Sequence, residues 1–234
     1  MSLSPVQRAK ARAEARRAAA QDPHGGPVSG DAHTLLLAQL VEHRRRLKDI
    51  QSVERKIEAK RVFLPTYDAW IDATLAEGRG AQDPIVTTVM VWHIDAGNYA
   101  RALAIARYAV RHQLDLPDQY ERSLAVALID EFAAAALAGK LKPAEAAEIL
   151  PEVHDLTAGA DAPDQARAKL HKAYAYALLG KTGPADVDFT GIDRTPCEEA
   201  QHHLKRALEL WDQVGVKKDI ERLDRRLKAD GPSA

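Results

Sequence analysis

Apolar residues return every three or four positions through most of this chain. Ile85, Val89, Trp92 and Ile94 recur at roughly helical spacing, and so do Tyr99, Leu103, Ala106 and Val110. Asp83 is a residue type that caps a helix N-terminus, and Pro84 suits the first turn. Gly97 ends that helix, and Asn98 can cap the next. Two residues between the periodic segments predict a tight helical hairpin with one shared apolar face.

The same reading extends in both directions. His33 to about Arg61 reads as one long helix whose seam holds Leu36, Leu40, Leu47, Ile50 and Ile57. Polar His43 and Glu54 interrupt that seam, which argues against a sustained coiled coil. Pro65 separates it from a shorter helix carrying Tyr67, Trp70, Ile71 and Leu75, which Gly78 and Gly80 end. Further helices are predicted from about Gln119 to Ala138, from Pro143 to about Thr157, and from Pro163 to Gly180. Residues 181–195, with Gly183, Pro184 and Gly191, read as an exposed loop. Thr195-Pro196 starts a helix to Val214, and Gly215 separates it from a last helix, about Val216 to Lys228.

No segment alternates like a strand, so the fold class is all-α, with about nine helices mostly in antiparallel hairpins. Residues 1–32 read as a disordered basic tail and linker, with Pro23, Gly25, Gly26, Pro27 and Gly30 breaking regular structure. The expected organisation is then a basic helical region over 33–64, a central helical body over 65–180, the 181–195 loop, a C-terminal hairpin over 196–228 and a short tail over 229–234. Small residues between large apolar ones give some helix pairs a tetratricopeptide-like flavour, without a fixed-period repeat. A helical-repeat adaptor that binds protein is one reading that follows.

Charge changes the picture. The chain carries a net −1, but residues 1–61 hold thirteen Lys/Arg against seven Asp/Glu. That is +6 at the front and −7 over the remainder. A basic end on an acidic body suits a protein that meets DNA through one end. The single cysteine, Cys197, excludes an intramolecular disulfide framework and reads as an ordinary thiol near a helix start. No apolar run is long enough to cross a bilayer, and the N-terminus lacks the apolar core of a secretory signal, so a soluble cytoplasmic protein is expected.

Within the basic end, Arg44, Arg45, Arg46 and Lys48 fan around one turn, with Leu40 and Leu47 on the buried side. Arg55, Lys56, Lys60 and Arg61 continue the basic surface two to four turns on. Such a row contacts phosphates, and arginine also reads guanine edges. The plain alternative is a solvated face paired with Glu42, Asp49, Glu54 and Glu58. Arg12, Arg16 and Arg17 of the tail are candidates for added phosphate contacts. Near the C-terminus, Lys217, Lys218, Arg222, Arg225 and Arg226 alternate with acids, as a salt-bridged outer face does, or as a partner-binding face would.

The wording of three segments goes further. GAQDPIVTTVMVWHIDAGNYARALAIARYAV, PDQARAKLHKAYAYALLG from Pro163, and GVKKDIERLDRRL from Gly215 resemble the small terminase subunit of peduovirus-like tailed phages. The resemblance runs from about Leu35 to about Lys228 as a whole pattern. It implies a DNA-packaging subunit that binds the packaging-initiation, cohesive-end site on double-stranded viral DNA. It also implies delivery of that DNA to a large subunit carrying the ATPase and nuclease, in the cytoplasm of an infected bacterial host. A ring-shaped homo-oligomer of about eight to eleven subunits is implied as well.

Members of this family have been labelled an endonuclease subunit, so nuclease chemistry is an alternative. Glu58-Ala59-Lys60 has the carboxylate-x-lysine form of a metal-dependent nuclease, but on a predicted helix and not a strand. His202 and His203 are adjacent and point to different helix faces, while His112, His154 and His171 are scattered in the sequence. There is no GxxxxGK[ST] loop. The expectation is a non-enzymatic subunit with no cofactor and no metal, and Trp70, Trp92 and Trp211 as core or interface anchors.

Overall fold

The computed structural model describes residues 30–117, 121–181 and 187–229. Among them every regular element is helical. In order these are α1 (Asp31–Asp49), α2 (Val53–Phe63), a 3₁₀ turn (Leu64–Thr66), α3 (Asp68–Glu77), α4 (Pro84–Ala96), α5 (Tyr99–Arg111), α6 (Leu124–Leu137), α7 (Pro143–Thr157), α8 (Asp164–Leu178), α9 (Arg194–Leu210) and α10 (Lys217–Ala229). The all-α expectation holds. The chain forms two compact units, residues 1–124 and 125–234, and this boundary falls inside the span 65–180.

The predicted helix from His33 to Arg61 is two helices. Ile50 is extended, with φ −87° and ψ 127°, and ends α1. The Ser52 side chain then accepts a hydrogen bond from the Arg55 backbone N–H at 3.3 Å and caps α2. A serine cap satisfies a donor that a continuous helix would have bonded within itself, and this stabilises the break. The even spacing of Ile50 and Ile57 along the seam disguised it. Two other boundaries move inward: α6 begins at Leu124, and α9 ends at Leu210 because Trp211 is extended.

Unit 1–124 is built around α4. Its ends follow the sequence signals: Asp83 accepts from the Ile85 N–H at 2.9 Å, and Pro84 occupies the first turn. Gly97 takes the left-handed conformation at φ 83°, and Asn98 N–H reaches back to the His93 carbonyl at 2.8 Å. That is a Schellman closure, and it turns the chain directly into α5. The Asn98 side chain does not cap α5; its Nδ2 lies 3.3 Å from His93 Nδ1 instead.

Periodicity predicts one buried stripe on α4, but every residue from Ile85 to Ile94 is buried. The helix packs on α1, α2, the 3₁₀ turn and α5, so it is covered on all sides. Ile85, Val86, Val89 and Met90 have no exposed surface. Each such side chain contributes about 1.5–3 kcal/mol relative to exposure. The buried Asp83 also receives Trp70 Nε1–H at 2.7 Å and lies 3.2 Å from His33 Nε2. One carboxylate therefore joins α1, α3 and the start of α4. The loop leading to α4 passes over Tyr108, whose hydroxyl accepts from Gly80 N–H at 2.9 Å. Gly80 has φ 85°, and a Cβ there would lie 2.5 Å from the His112 ring.

Unit 125–234 is a series of helices in which α7 packs on α8, α8 on α9 and α9 on α10. Ala168 and Ala175 on α8 share a core cluster with Ala200 and Ala207 on α9. Small side chains let these two axes approach closely, as the sequence composition suggested. Cys197 is buried in the first turn of α9. Trp70 and Trp92 are core residues of the first unit, and Trp211 packs partly buried against the core of the second.

Candidate nucleic-acid interface

The sequence-predicted basic residues separate into two groups. Arg44, Arg45, Arg46 and Lys48 lie in the last turns of α1, and Arg55 and Lys56 lie in the first turn of α2. They flank the short turn Ile50–Ser52. Cations in the last turn of α1 also complement the partial negative charge of that helix end.

Their partners differ. Arg45 grips Glu42 through two hydrogen bonds, at 2.8 and 3.0 Å, and Arg46 reaches the same carboxylate at 2.9 Å. These bonds hold the Glu42 carboxyl down at about 2. Arg45 also lies 3.7 Å from Asp49. By contrast, Arg44, Lys48, Arg55 and Lys56 have no side-chain ion pair among the described residues, and Lys48 and Arg55 are exposed.

Lys60 and Arg61 point elsewhere. Lys60 Nζ bonds Asp95 Oδ2, and its side chain is only 17% exposed. Arg61 places Nε and one terminal nitrogen on the Ala96 carbonyl, at 3.1 and 3.0 Å. Arg61 therefore caps the C-terminus of α4, and Lys60 pairs with a carboxylate beside it, where the helix dipole favours positive charge. They fasten α2 to α4, a role the sequence did not disclose. Glu58 is exposed one turn before them, and with Lys60 held by Asp95 the carboxylate-x-lysine pattern is split between two surroundings. Arg12, Arg16 and Arg17 lie outside the described residues.

His43, which looked like a defect in the α1 seam, is a junction. Its ring stacks on Phe63 at 3.9 Å with 3° between planes, and Nδ1 lies 2.8 Å from the Tyr67 hydroxyl. Burial, then the nearby Arg46 charge, lowers its pKa and disfavours the charged ring, and through it α1 docks onto α2 and onto Tyr67 just after the 3₁₀ turn.

At the C-terminal end, the five predicted partner-binding residues also divide. Arg222 donates to the Val187 carbonyl at 2.7 Å, and Arg226 donates to the Phe189 and Ile192 carbonyls at 3.2 and 3.1 Å. These two hold the loop before α9. Lys217, Lys218 and Arg225 are exposed. Asp219 pairs with Lys181 and, within the helix, lies 3.9 Å from Arg222, while Asp224 reaches Gln201 and Lys205.

Of the histidines that read as scattered, His112 packs against Tyr108, but His154 and His171 meet. α7, α8 and α9 bring His154, His171 and His203 together, with ring centroids 5.1–6.0 Å apart. His171 Nδ1 lies 2.8 Å from His203 Nδ1, a distance at which only one nitrogen carries the hydrogen. Their separation in sequence hid this, because only helix packing brings them into register. Among the described residues no group of three or more His, Cys, Asp or Glu is disposed to hold a metal ion.

Comparison with known proteins settles the lineage. Residues 37–165 match the family described as phage small terminase subunit. The chain belongs to that family. A relative from Escherichia phage P2, named "Terminase, endonuclease subunit", is 38% identical over 227 residues, covering 96% of this chain and 86% of its own length. No solved structure matches. The family match takes in most of α1, all of α2 to α7 and the start of α8, so it includes both groups of basic residues. No described helix of this small terminase subunit is long and apolar enough to cross a membrane.

Proposed function

We propose that this small terminase subunit binds double-stranded viral DNA at the packaging-initiation site through the end of α1 and the start of α2. It then delivers that DNA to the large ATPase and nuclease subunit, in the host cytoplasm, and is not itself the nuclease. The observation that carries the reading is the set Arg44, Lys48, Arg55 and Lys56, without ion pairs among the described residues, which flanks the turn between two packed helices. Unpaired cations on exposed helix ends contact phosphates at little cost, because no internal ion pair must first break. The packaging role of the family supplies the nucleic-acid partner.

Self-association into a ring, with the helices between Pro65 and Leu179 forming the body and the subunit contacts, belongs to the same proposal. Exposed Leu35, Val41, Val53 and Val62 on α1 and α2 lie outside that span and supply apolar surface for additional contacts. The test is DNA binding at several salt concentrations, with light scattering on the same sample. Wild type is expected to lose roughly three decades of affinity between low and moderate salt if about six phosphates are neutralised. Arg44→Glu with Lys48→Glu is expected to bind far more weakly with a shallower slope. Unchanged affinity would remove this face from the DNA site. A scattering mass near the 25.6 kDa of one chain at micromolar concentration would end the ring proposal.

A further inference from the structure

Unit 125–234 contains a cleft of about 950 Å³ that none of the foregoing uses. It opens beside α8, the turn at Gly215 and the first turns of α10. Five cations line it, Lys172, Lys181, Lys217, Lys218 and Arg222, against only Asp212 and Asp219. The local sum is +3, whereas residues 62–234 together carry −7. A concave concentration of one sign on a body of the other focuses potential.

Of the two acids, the buried one is already committed. Asp219 is 7% exposed. It receives Lys181 Nζ at 2.9 Å on both oxygens and the Tyr176 hydroxyl at 2.7 Å. Lys181 lies over the Tyr176 ring, 4.3 Å from its centroid. This buried set makes a fixed wall. Lys172 faces it from α8 with Nζ on the Val214 carbonyl at 2.7 Å, and it has no carboxylate partner among the described residues. Burial, and then the Lys181 charge, pull its pKa down, so an incoming anion would relieve that strain. Lys217 and Lys218 stand exposed at the mouth, in the first turn of α10, where backbone N–H groups have no helical acceptor. Leu137 and the Tyr176 ring supply apolar lining.

We propose that this cleft docks an acidic peptide segment of a partner protein, whose carboxylates engage Lys172, Lys217 and Lys218 while an apolar side chain meets Leu137. The volume lies in the range of ligand clefts, with Lys172 and buried Lys181 on its wall and Lys217 and Lys218 at its mouth. A DNA duplex needs an open basic face, which the α1 and α2 ends offer and this cleft does not. That the partner belongs to the packaging assembly rests on the function proposed above; the peptide chemistry does not.

The test uses the full chain and a short fluorescein-labelled peptide of Asp, Glu and Leu, beside its Asn/Gln counterpart, followed by fluorescence anisotropy. The acidic peptide is expected to bind and the amide peptide not. Lys217→Glu with Lys218→Glu is expected to weaken binding by at least about tenfold. Lys172→Met, which keeps the stem and removes the charge, is expected to weaken it several-fold. The helical signal, thermal midpoint and duplex-DNA affinity of the double variant are expected to stay at wild-type values. Equal binding of the amide peptide, or no effect of the double variant, overturns the proposal. Displacement of the peptide by tripolyphosphate at lower concentration shows a phosphate site and overturns it too. A parallel loss of DNA affinity assigns the cleft to nucleic acid. Wild type that binds the peptide but no DNA defeats the DNA reading and leaves this one standing.

Discussion

His33 Nε2 lies 3.2 Å from Asp83 Oδ1, with the two side chains 6% and 2% exposed. The pair joins the first turns of α1 to the N-terminus of α4. Asp83 meets the Trp70 indole and the Ile85 N–H at the same time. Asp83→Ala would strip the cap and leave three buried polar groups without their acceptor. A loss of about 2–4 kcal/mol in urea unfolding is expected. Asp83→Asn keeps the cap oxygen and is expected to lose less. A wild-type midpoint for the alanine variant would show that Asp83 does not hold this junction.

Two neighbouring pairs of cations on α2 should answer differently. Arg55→Glu with Lys56→Glu is expected to weaken DNA binding and lower the salt slope by about two, with unfolding unchanged. Lys60→Met should instead lower stability, because it leaves the Asp95 carboxylate unpaired beside the end of α4. Its effect on DNA should be no more than that of one lost charge. Reversal of these two patterns would mean that α2 meets DNA through its C-terminal half.

Glu42 holds two arginines of the proposed DNA face. Glu42→Gln removes the carboxylate that both guanidinium groups share, leaving Arg45 only its longer contact to Asp49, and makes each subunit one unit less negative. DNA affinity at low salt is expected to rise, with the gain fading as salt increases. An unchanged or reduced affinity would show that Arg45 and Arg46 serve DNA only when Glu42 orients them.

The histidines set an acid limit on stability. Burial, then the charges of neighbouring histidines, lowers His171 to about 3 and His203 to about 4, and burial lowers His93 to about 4. A histidine whose folded pKa lies below its unfolded value binds more protons when unfolded. Stability is therefore full above about 6.5, falls as pH drops through that value, and levels near the folded pKa of 3–4. The chain should lose stability from pH 6.5 downward, before most carboxylates protonate. His171→Gln with His203→Gln should flatten that slope in urea melts. Glu199, bonded to Tyr174, and Asp155, beside His154, face the same cluster; His93, which the double variant leaves in place, should keep a remaining slope. An identical slope in the double variant would mean that these rings titrate freely.

How much of this could be read from the residues depends on distance along the chain. Asp83, Gly97, Pro143 and Gly180 act through neighbours a few positions away, and the helix ends they mark fall where the sequence placed them. Ser52 is equally local, but the apolar spacing through Ile50 and Ile57 outweighed it. His43 read as a flaw because its partners, Phe63 and Tyr67, are about twenty residues on. Lys60 and Arg61 read as surface charge because nothing local shows a helix terminus packed against them. The histidine cluster and the cationic cleft each draw on at least three helices or turns, and only packing assembles them.

The enclosure of α4 has a further consequence. A helix with no free face cannot take part in recognition, and almost any change of volume along it disturbs neighbours on every side. Its outer partners, α1 and α2, carry the residues proposed to meet DNA at their facing ends. Target preference can therefore drift through substitutions at those ends while the hub keeps the geometry. The unit separates what must stay fixed from what is free to evolve, and a change of viral genome sequence could be followed without redesigning the fold.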